Sequence, residues 1–347
     1  MTDLSRIHFM TTSWFGAGAL QRLALTLREA GITRPMLVAD QGLRKAGVVD
    51  QVLAALDHPP VAQYLDTPPN PTADACMQAA QMFRDSGADG VIALGGGSPI
   101  DLAKAVALLG THHGALADYD VTRPTGSQAI TRDCAPIIAI PTTAGTGSEV
   151  GRAAVISTAD DTKLILLSLH LVPHITLVDP NLAISLPKSL TAGAAMDAFC
   201  HCIEGFLAPN YNPPAQAVAL DGVRRIMAAV QRACDDGTDL GARSDLAMGS
   251  LQGGMAMANG LGAVHAMSHA VGGISALGLH HGTLNAVLLP LVMQHNLEQV
   301  AARAAPLAAA MGLARAADIP DAIRTLSHGI GLPASLSDID VPHISIA

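Results

Sequence analysis

The sequence predicts an α/β N-terminal domain with a parallel dinucleotide-binding sheet, followed by an all-helical C-terminal domain. Three observations carry that expectation. Through the first half of the chain, short apolar runs alternate with helical patterns, the signature of a sheet flanked by helices. Two of those runs break into glycine-rich loops, "ALGGGS" (93–98) and "IPTTAGTGSE" (140–149). From about Pro187 onward the periodicity is helical, with almost no strand signal. The boundary therefore falls near residue 186, giving an α/β domain over 1–186 and a helical domain over 187–347.

Taken in order, "RPMLVAD" (34–40) is a strand and "ACMQAAQMFRDSG" (75–87) a helix that ends at Gly87. "DGVIALGGG" (89–97) is a buried strand that runs into glycines. It is followed by the helix "SPIDLAKAVALLG" (98–110), with Ser98 as N-cap, Pro99 in the first helical position and Asp101 completing a capping pattern. "APIIAIPTTAGTGSE" (135–149) is an apolar strand opening into a Thr/Gly loop, and "HITLVDP" (174–180) is a further strand. No internal repeat or low-complexity tract interrupts the chain.

Composition narrows the function. Half of the 347 residues are hydrophobic and only 14% are charged, an ordinary globular balance with a large core. A net charge of −9, no basic run and 3% aromatic residues argue against nucleic acid and anionic membranes as partners. No apolar run reaches the length of a transmembrane helix and the N-terminus lacks a signal-peptide core. The five cysteines, Cys76, Cys134, Cys200, Cys202 and Cys234, have no paired CxxC spacing, which suits reduced thiols in a cytoplasm. "CHC" (200–202) invites a zinc reading, but alternate residues on a helix point to different sides.

Two loops could hold a nucleotide. Glycines permit close backbone approach, a helix N-terminus attracts phosphate oxygens, and ligands of open α/β sheets gather at strand ends. Asp40 closes the strand "MLVAD", where a carboxylate hydrogen-bonds ribose hydroxyls and repels a 2′-phosphate, favouring NAD over NADP. Each loop alone is equally a plain strand-to-helix turn, and Asp40 alone a turn residue.

Histidine raises a second question. "HAMSHAVGGISALGLHH" (265–281) holds four of the fourteen histidines among small apolar residues, and buried imidazoles need hydrogen bonds or a metal. His265 and His269 stand four residues apart, as do Asp197 and His201 in "MDAFCHCIEGF". An Asp with three His suits a borderline divalent cation such as Fe²⁺ or Zn²⁺, provided the two helices face each other.

The ordered set "GGGSPIDLAKAVALL", "IPTTAGTGSEV", "LVDPNLAISLP", "TAGAAMDAFCHCIEGF" and "GLGAVHAMSHAVGG…HHGTLNAVLLP" resembles the iron-containing (group III) alcohol dehydrogenases from about residue 8 to about 340. The resemblance implies NAD and a metal, Fe²⁺ or alternatively Zn²⁺, in a cleft between the domains of a cytoplasmic homodimer. It puts the metal ligands on Asp197, His201, His265 and His281, and a proton-relay histidine on His269. Its cofactor pattern falls on Asp40, Asn70, Gly96, Gly97, Ser98, Asp101, Thr142, Thr143, Lys163 and Leu182. The segment before His281 is about two residues longer than in many relatives, which leaves His280 as the alternative ligand. His281 is preferred because it alone directly precedes Gly282. The tail "VPHISIA" is short for the family.

The activity implied is reversible oxidation of a small alcohol to an aldehyde or ketone by hydride transfer to NAD⁺. Maleylacetate reductases share the glycine loops, but their metal-free members typically carry Asn where this chain has Asp197. A dehydroquinate-synthase-like lyase needs more basic groups than Lys163, Lys104 and Arg152. A non-catalytic NAD-binding protein would not need all four ligand-type residues.

Overall fold

The computed structural model describes residues 11–160, 162–272 and 278–339. The chain divides into two compact units. Among the described residues, one comprises 11–143 with Ser148–Ser185, and the other Ala144–Gly147 with those from Leu186 on.

The first unit is built on six parallel strands: β1 (Thr12–Phe15), β2 (Pro35–Val38), β3 (Ala62–Tyr64), β4 (Gly90–Gly95), β5 (Ile137–Pro141) and β8 (Ile175–Val178), in the order β1-β8-β5-β4-β2-β3. A separate antiparallel hairpin pairs β6 (Ala153–Ser157) with β7 (Lys163–Leu167). Helices α1 (Leu23–Glu29), α2 (Gln41–Lys45), α3 (Val48–Ala54), α4 (Ala73–Ser86), α5 (Gly97–Leu109) and the single turn α6 (Gly126–Ala129) connect them. The central strands are buried on both faces. Met36, Val38, Val91, Ala93 and Ile137 pack into one core, while Leu37, Ile92, Leu94, Ile138 and Ile140 pack into another. That double burial is why those strands read as continuous apolar runs.

The four strands expected from sequence correspond to β2, β4, β5 and β8, and the helix expected over 75–87 is α4, whose C-cap Gly87 takes a left-handed φ of 65°. Two edge strands, β1 and β3, and the hairpin were not anticipated. The edge strands are short and partly exposed, so they lack the apolar run that marks a central strand.

One local expectation is corrected. The N-cap of α5 is Gly96, not Ser98, so the helix starts earlier than the capping pattern suggested. Gly95 ends β4 at φ 148°, where a side chain would lie 2.5 Å from Pro99 Cγ, and the chain turns at once into the helix. Ser98 instead accepts the Asn70 N–H at 3.2 Å. Asp101 does not cap either: its carboxylate accepts from Ser148 Oγ at 2.6 Å and from the Val155 N–H at 3.0 Å.

The second unit is helical: α7 (Lys188–Leu207), α8 (Pro213–Asp235), α9 (Leu240–Ala256), α10 (Ala263–Gly272), α11 (His281–Asn296), α12 (Ala301–Ala310) and α13 (Ile319–Gly329). Its core gathers Phe199, Ile203, Val223, Ile226, Val230, Leu246, Leu289 and Met293 around α7. Ala144–Gly147 belongs with this unit, so the second glycine loop is divided rather than lying wholly with the sheet. A Cβ on Gly282, at the start of α11, would collide with the carbonyl oxygen of Gly193 in α7. Only glycine lets these two backbones approach so closely. All five cysteines are free and buried. No helix among the described residues is long and apolar enough to cross a membrane.

The first unit buries a charged network. Lys104 is fully buried on α5 and donates to Ser148 Oγ (2.8 Å), the Gly151 carbonyl (3.0 Å) and the Ala153 carbonyl (2.7 Å), tying the second glycine loop and the hairpin to that helix. Burial lowers its ammonium to about 8, against the pull of Asp101 and Glu149. Glu149 is 3% exposed, and burial pushes its carboxyl up from 4.5 to about 7. An unfolded chain ionises that carboxyl near pH 4.5 and the folded one only near 7. The contribution of Glu149 to stability is therefore present in full below pH 4.5 and lost as pH rises through 7. Glu149→Gln, a neutral mimic of the acid, should raise stability relative to wild type by about 1–3 kcal/mol at pH 8 and change it little at pH 5. Denaturant unfolding of both proteins at the two pH values checks this, and an equal offset at both would refute it.

Candidate metal and cofactor site

Helical pitch brings the ionisable residues of the second unit together. On α7, Asp197 and His201 stand one turn apart; α10 contributes His265 and His269; and α11 begins at His281, held close to α7 by the Gly193–Gly282 contact. The Oδ1 atom of Asp197 lies 3.7 Å from His201 Nε2, 3.6 Å from His265 Nε2 and 3.7 Å from His281 Nε2. These separations are too long for hydrogen bonds. They are close to the spacing of neighbouring donors around a tetrahedral ion, about 3.3–3.6 Å for bonds of about 2.0–2.2 Å. Asp197, His201 and His265 are all buried and offer ligand atoms within 4.8 Å of one another. Four ligand-type atoms converge here, three from buried residues and one from the partly exposed His281, and an Asp/His₃ set of this kind fits a divalent cation.

Burial opposes ionisation of Asp197, but His201, His265 and His281 outweigh it and hold the carboxyl far below its ordinary range. Burial lowers His201 to about 4, so its imidazole is neutral and can donate a lone pair. Burial works against ionisation of His265, but Cys200, Asp197 and Glu204 outweigh it and raise the imidazole to about 12, so without a metal the ring is protonated and a cation takes the place of its Nε2 proton. Burial also pushes the Cys200 thiol up to about 12 and raises Cys202 further, keeping both thiols protonated. The "CHC" pair is therefore core, with Cys202 Sγ directed to the Gly249 carbonyl.

His269 and His281 have ring centroids 4.8 Å apart, placing His269 beside the cluster. His280 occupies the N-cap position of α11 without capping it, and its ring lies where a Gly193 side chain would be. Two polar residues that sequence reasoning missed also belong here. Asn285, one turn along α11 from His281, donates from Nδ2 to Asp197 Oδ1 at 2.7 Å and lies 3.3 and 3.2 Å from His265 Nε2 and His281 Nε2. Glu204 accepts from His265 Nδ1 at 2.6 Å. Glu204 had a legible signal, since Asp197, His201 and Glu204 follow the i, i+4, i+7 spacing of one helix face.

The expected cofactor residues lie in the first unit. Asp40 follows β2, Gly96 and Gly97 follow β4, Thr142 and Thr143 follow β5, and Leu182 follows β8, so all stand at the carboxyl ends of parallel strands. Asp40 Oδ1 caps α2 through the Leu43 N–H at 2.9 Å. Thr143 packs on Gly96, and Asn70 takes a positive φ of 55° beside Ser98. Lys163 opens β7 of the hairpin, half-buried. Two residues depart from the direct cofactor contact implied for them. The carboxylate of Asp101 is engaged by Ser148 and Val155, and the Leu182 side chain is buried in the core beneath the sheet.

Known proteins share this arrangement. The iron-containing alcohol dehydrogenase family matches residues 11–180, and the C-terminal family of Fe-containing alcohol dehydrogenases matches residues 191–347. A 4-hydroxybutyrate dehydrogenase of Cupriavidus necator is 44% identical over 342 residues, covering 96% of this chain and 89% of its own. A solved 1,3-propanediol oxidoreductase superposes with a TM-score of 0.87 at 33% identity, covering 97% of this chain and 90% of the other. A sulfoacetaldehyde reductase from Bifidobacterium kashiwanohense, solved in complex with NAD⁺, gives a TM-score of 0.91 at 26% identity over 99% and 90% of the two chains. With a convergent Asp/His cluster in its helical unit and glycine loops at the strand ends of its parallel sheet, the chain belongs to the iron-containing alcohol dehydrogenases, alcohol–carbonyl oxidoreductases that work with Fe²⁺ and NAD.

Proposed function

We propose that this chain interconverts a short alcohol bearing a second polar terminus, an ω-hydroxy acid or a diol, with its aldehyde, and that Asp197, His201, His265 and His281 hold the cation. The observation that carries the reading is the three-way convergence of imidazole Nε2 atoms on Asp197 Oδ1. When bound, the cation supplies Lewis acidity to the alcohol oxygen and NAD⁺ accepts the hydride. The residues of the chain do the rest. Buried Asp197 offsets the cationic charge, neutral His201 offers a lone pair, and His269, beside His281, takes the hydroxyl proton as the hydride leaves carbon. The substrate class rests on the identity to the 4-hydroxybutyrate dehydrogenase and the likeness to the propanediol oxidoreductase.

In the first unit, the backbone amides of Gly96 and Gly97 at the start of α5 are suited to the dinucleotide phosphates, with Ser98, Thr142, Thr143 and Asn70 around them. Lys163 lies on the neighbouring hairpin, Asp101 shapes the loop through Ser148, and the main chain of Leu182 is its available contact. Reduced cysteines suit a cytoplasmic enzyme, and a homodimer is carried over from the family resemblance.

Asp197→Asn removes the anionic member of the proposed ligand set. It should abolish retention of Fe²⁺ or Zn²⁺ and alcohol oxidation while NAD binding persists, as metal analysis and cofactor titration would measure. Undiminished turnover by metal-stripped wild type would sink the assignment.

The histidines should separate by role. His265→Ala and His281→Ala should lose metal and activity together, and His280→Ala neither. His269→Ala should keep metal and NAD but turn over about 10²-fold more slowly. A metal titration of the four variants decides, and loss of metal in His280→Ala but not His281→Ala would reverse the choice of ligand.

Asp40 sets the coenzyme preference by repelling a 2′-phosphate. Asp40→Gly should narrow the NAD/NADP ratio of kcat/KM by about tenfold or more, equivalent to about 1.4 kcal/mol. An unchanged ratio would place the ribose elsewhere.

A further inference from the structure

We propose that Glu204 is a positioning residue that fixes the tautomer of His265, so that Nε2 presents its lone pair to the cation; the inference rests on the metal assignment made above. Glu204 is buried one turn beyond His201 on α7, and its two oxygens have distinct tasks. Oε2 accepts from His265 Nδ1 at 2.6 Å and faces the His265 N–H at 3.4 Å, while Oε1 accepts the Val264 N–H at 2.8 Å. Gly262 makes room for this carboxylate, since a Cβ there would fall 2.8 Å from Oε1. One side chain thus ties the first turn of α10 to α7 and sets the ring it carries.

A neutral imidazole has one N–H, and an ionised carboxylate only accepts. In the neutral ring that ligates a cation, Glu204 against Nδ1 keeps the one proton there, and Nε2, 3.6 Å from Asp197 Oδ1, is the nitrogen left for the metal. A carboxylate behind a ligating histidine also raises the basicity of the nitrogen that faces the metal. Cys200 Sγ lies 3.7 Å from the same Nδ1 and forms, with Glu204 and His265, a second buried trio of ligand-type groups. That trio is a poor metal site. Its thiol is kept protonated by burial, and its carboxylate already receives three N–H groups, one of them the Nδ1–H of His265 itself.

A carboxylate is required because both of its oxygens accept. Glutamine in its place can accept from Val264 only by turning its NH₂ toward Nδ1, which drives the His265 proton to Nε2 and blocks ligation. Turned the other way, its NH₂ meets the Val264 N–H. Glu204→Gln should therefore weaken Co²⁺ binding to metal-stripped protein by about 10–100-fold and shift the visible ligand-field bands of the Co²⁺ form. A residue serving only as a helix cap would move unfolding of the metal-free protein and neither of these. Equal Co²⁺ affinity and spectra in Glu204→Gln and wild type would overturn the inference while leaving the metal site standing. Wild type that takes up no Co²⁺ would overturn both. Should the variant not fold, ¹H–¹⁵N NMR of Zn²⁺-loaded wild type decides. The Nδ1–H proton of His265 should lie far downfield and exchange slowly with water, as a hydrogen bond to the Glu204 carboxylate requires, and an Nδ1–H at an ordinary position in rapid exchange would refute the proposal.

Discussion

A carboxylate placed in the middle of a buried helix constrains much of the helical unit. Asp197 sits on α7 among Ala195, Met196, Ala198 and Phe199, all fully buried. An ionised carboxylate in such surroundings must be compensated, since an uncompensated buried charge costs about 3–5 kcal/mol. Compensation comes from three helices: His201 of α7 itself, His265 of α10, and His281 with Asn285 of α11. None of these partners can reach unless the backbones approach closely. Gly193 and Gly282 provide that approach, because a side chain on Gly282 would enter the Gly193 carbonyl and push His281 away from Asp197. Packing of small residues and the chemistry of the site are therefore one constraint.

The sheet unit solves a related problem differently. Its buried Lys104 and Asp101 bind the chain to itself. Lys104 holds two carbonyls and a hydroxyl of the segment from Ser148 to Ala153, and Asp101 holds Ser148 and Val155. That clamp fixes the residues following the second glycine loop relative to α5, the helix whose first turn carries Gly97 and Ser98. A buried ion network of this kind adds geometric definition rather than large stability, since desolvation offsets much of its Coulomb energy. The depressed ammonium of Lys104 and the raised carboxyl of Glu149 are the visible signs of that desolvation.

Much of this was legible in the sequence, for physical reasons that also explain what was not. Central parallel strands are buried on both faces, so "MLV", "GVIAL", "PIIAI" and "ITLV" announced themselves, and the switch to helical periodicity after Pro187 did the same. The edge strand "TSWF" is exposed at both ends and carries no such run. Ser98 fitted the pattern of an N-cap, yet Gly95 and Gly96 begin the helix sooner, an outcome of backbone geometry that side-chain type does not encode. Asp101 stood in a cofactor motif, but its partners Ser148 and Val155 lie 47 and 54 residues away and became visible only in the fold. Glu204 shares a helix face with Asp197 and His201, so its place on that face could be read, whereas its hold on His265, 61 residues on, could not.

The same long-range bonds give the histidines of one stretch different surroundings. His265 is gripped from behind by a carboxylate and faces another, so its ring is fixed at both nitrogens. His281 is the first residue of α11 and is oriented by the helix start, its Nε2 3.2 Å from Asn285 Nδ2. His280, one residue earlier, precedes the helix and lies over Gly193, outside the convergence on Asp197. His269 lies one turn beyond His265 and is only half-buried, beside His281. A rigid ligand and a proton carrier need opposite properties: a ligand needs its ring held, and a carrier needs contact with both the site and solvent. Under the proposed roles, the spacing of four residues between His265 and His269 meets both needs on one helix, with the ligand on the buried turn and the carrier on the half-buried next turn.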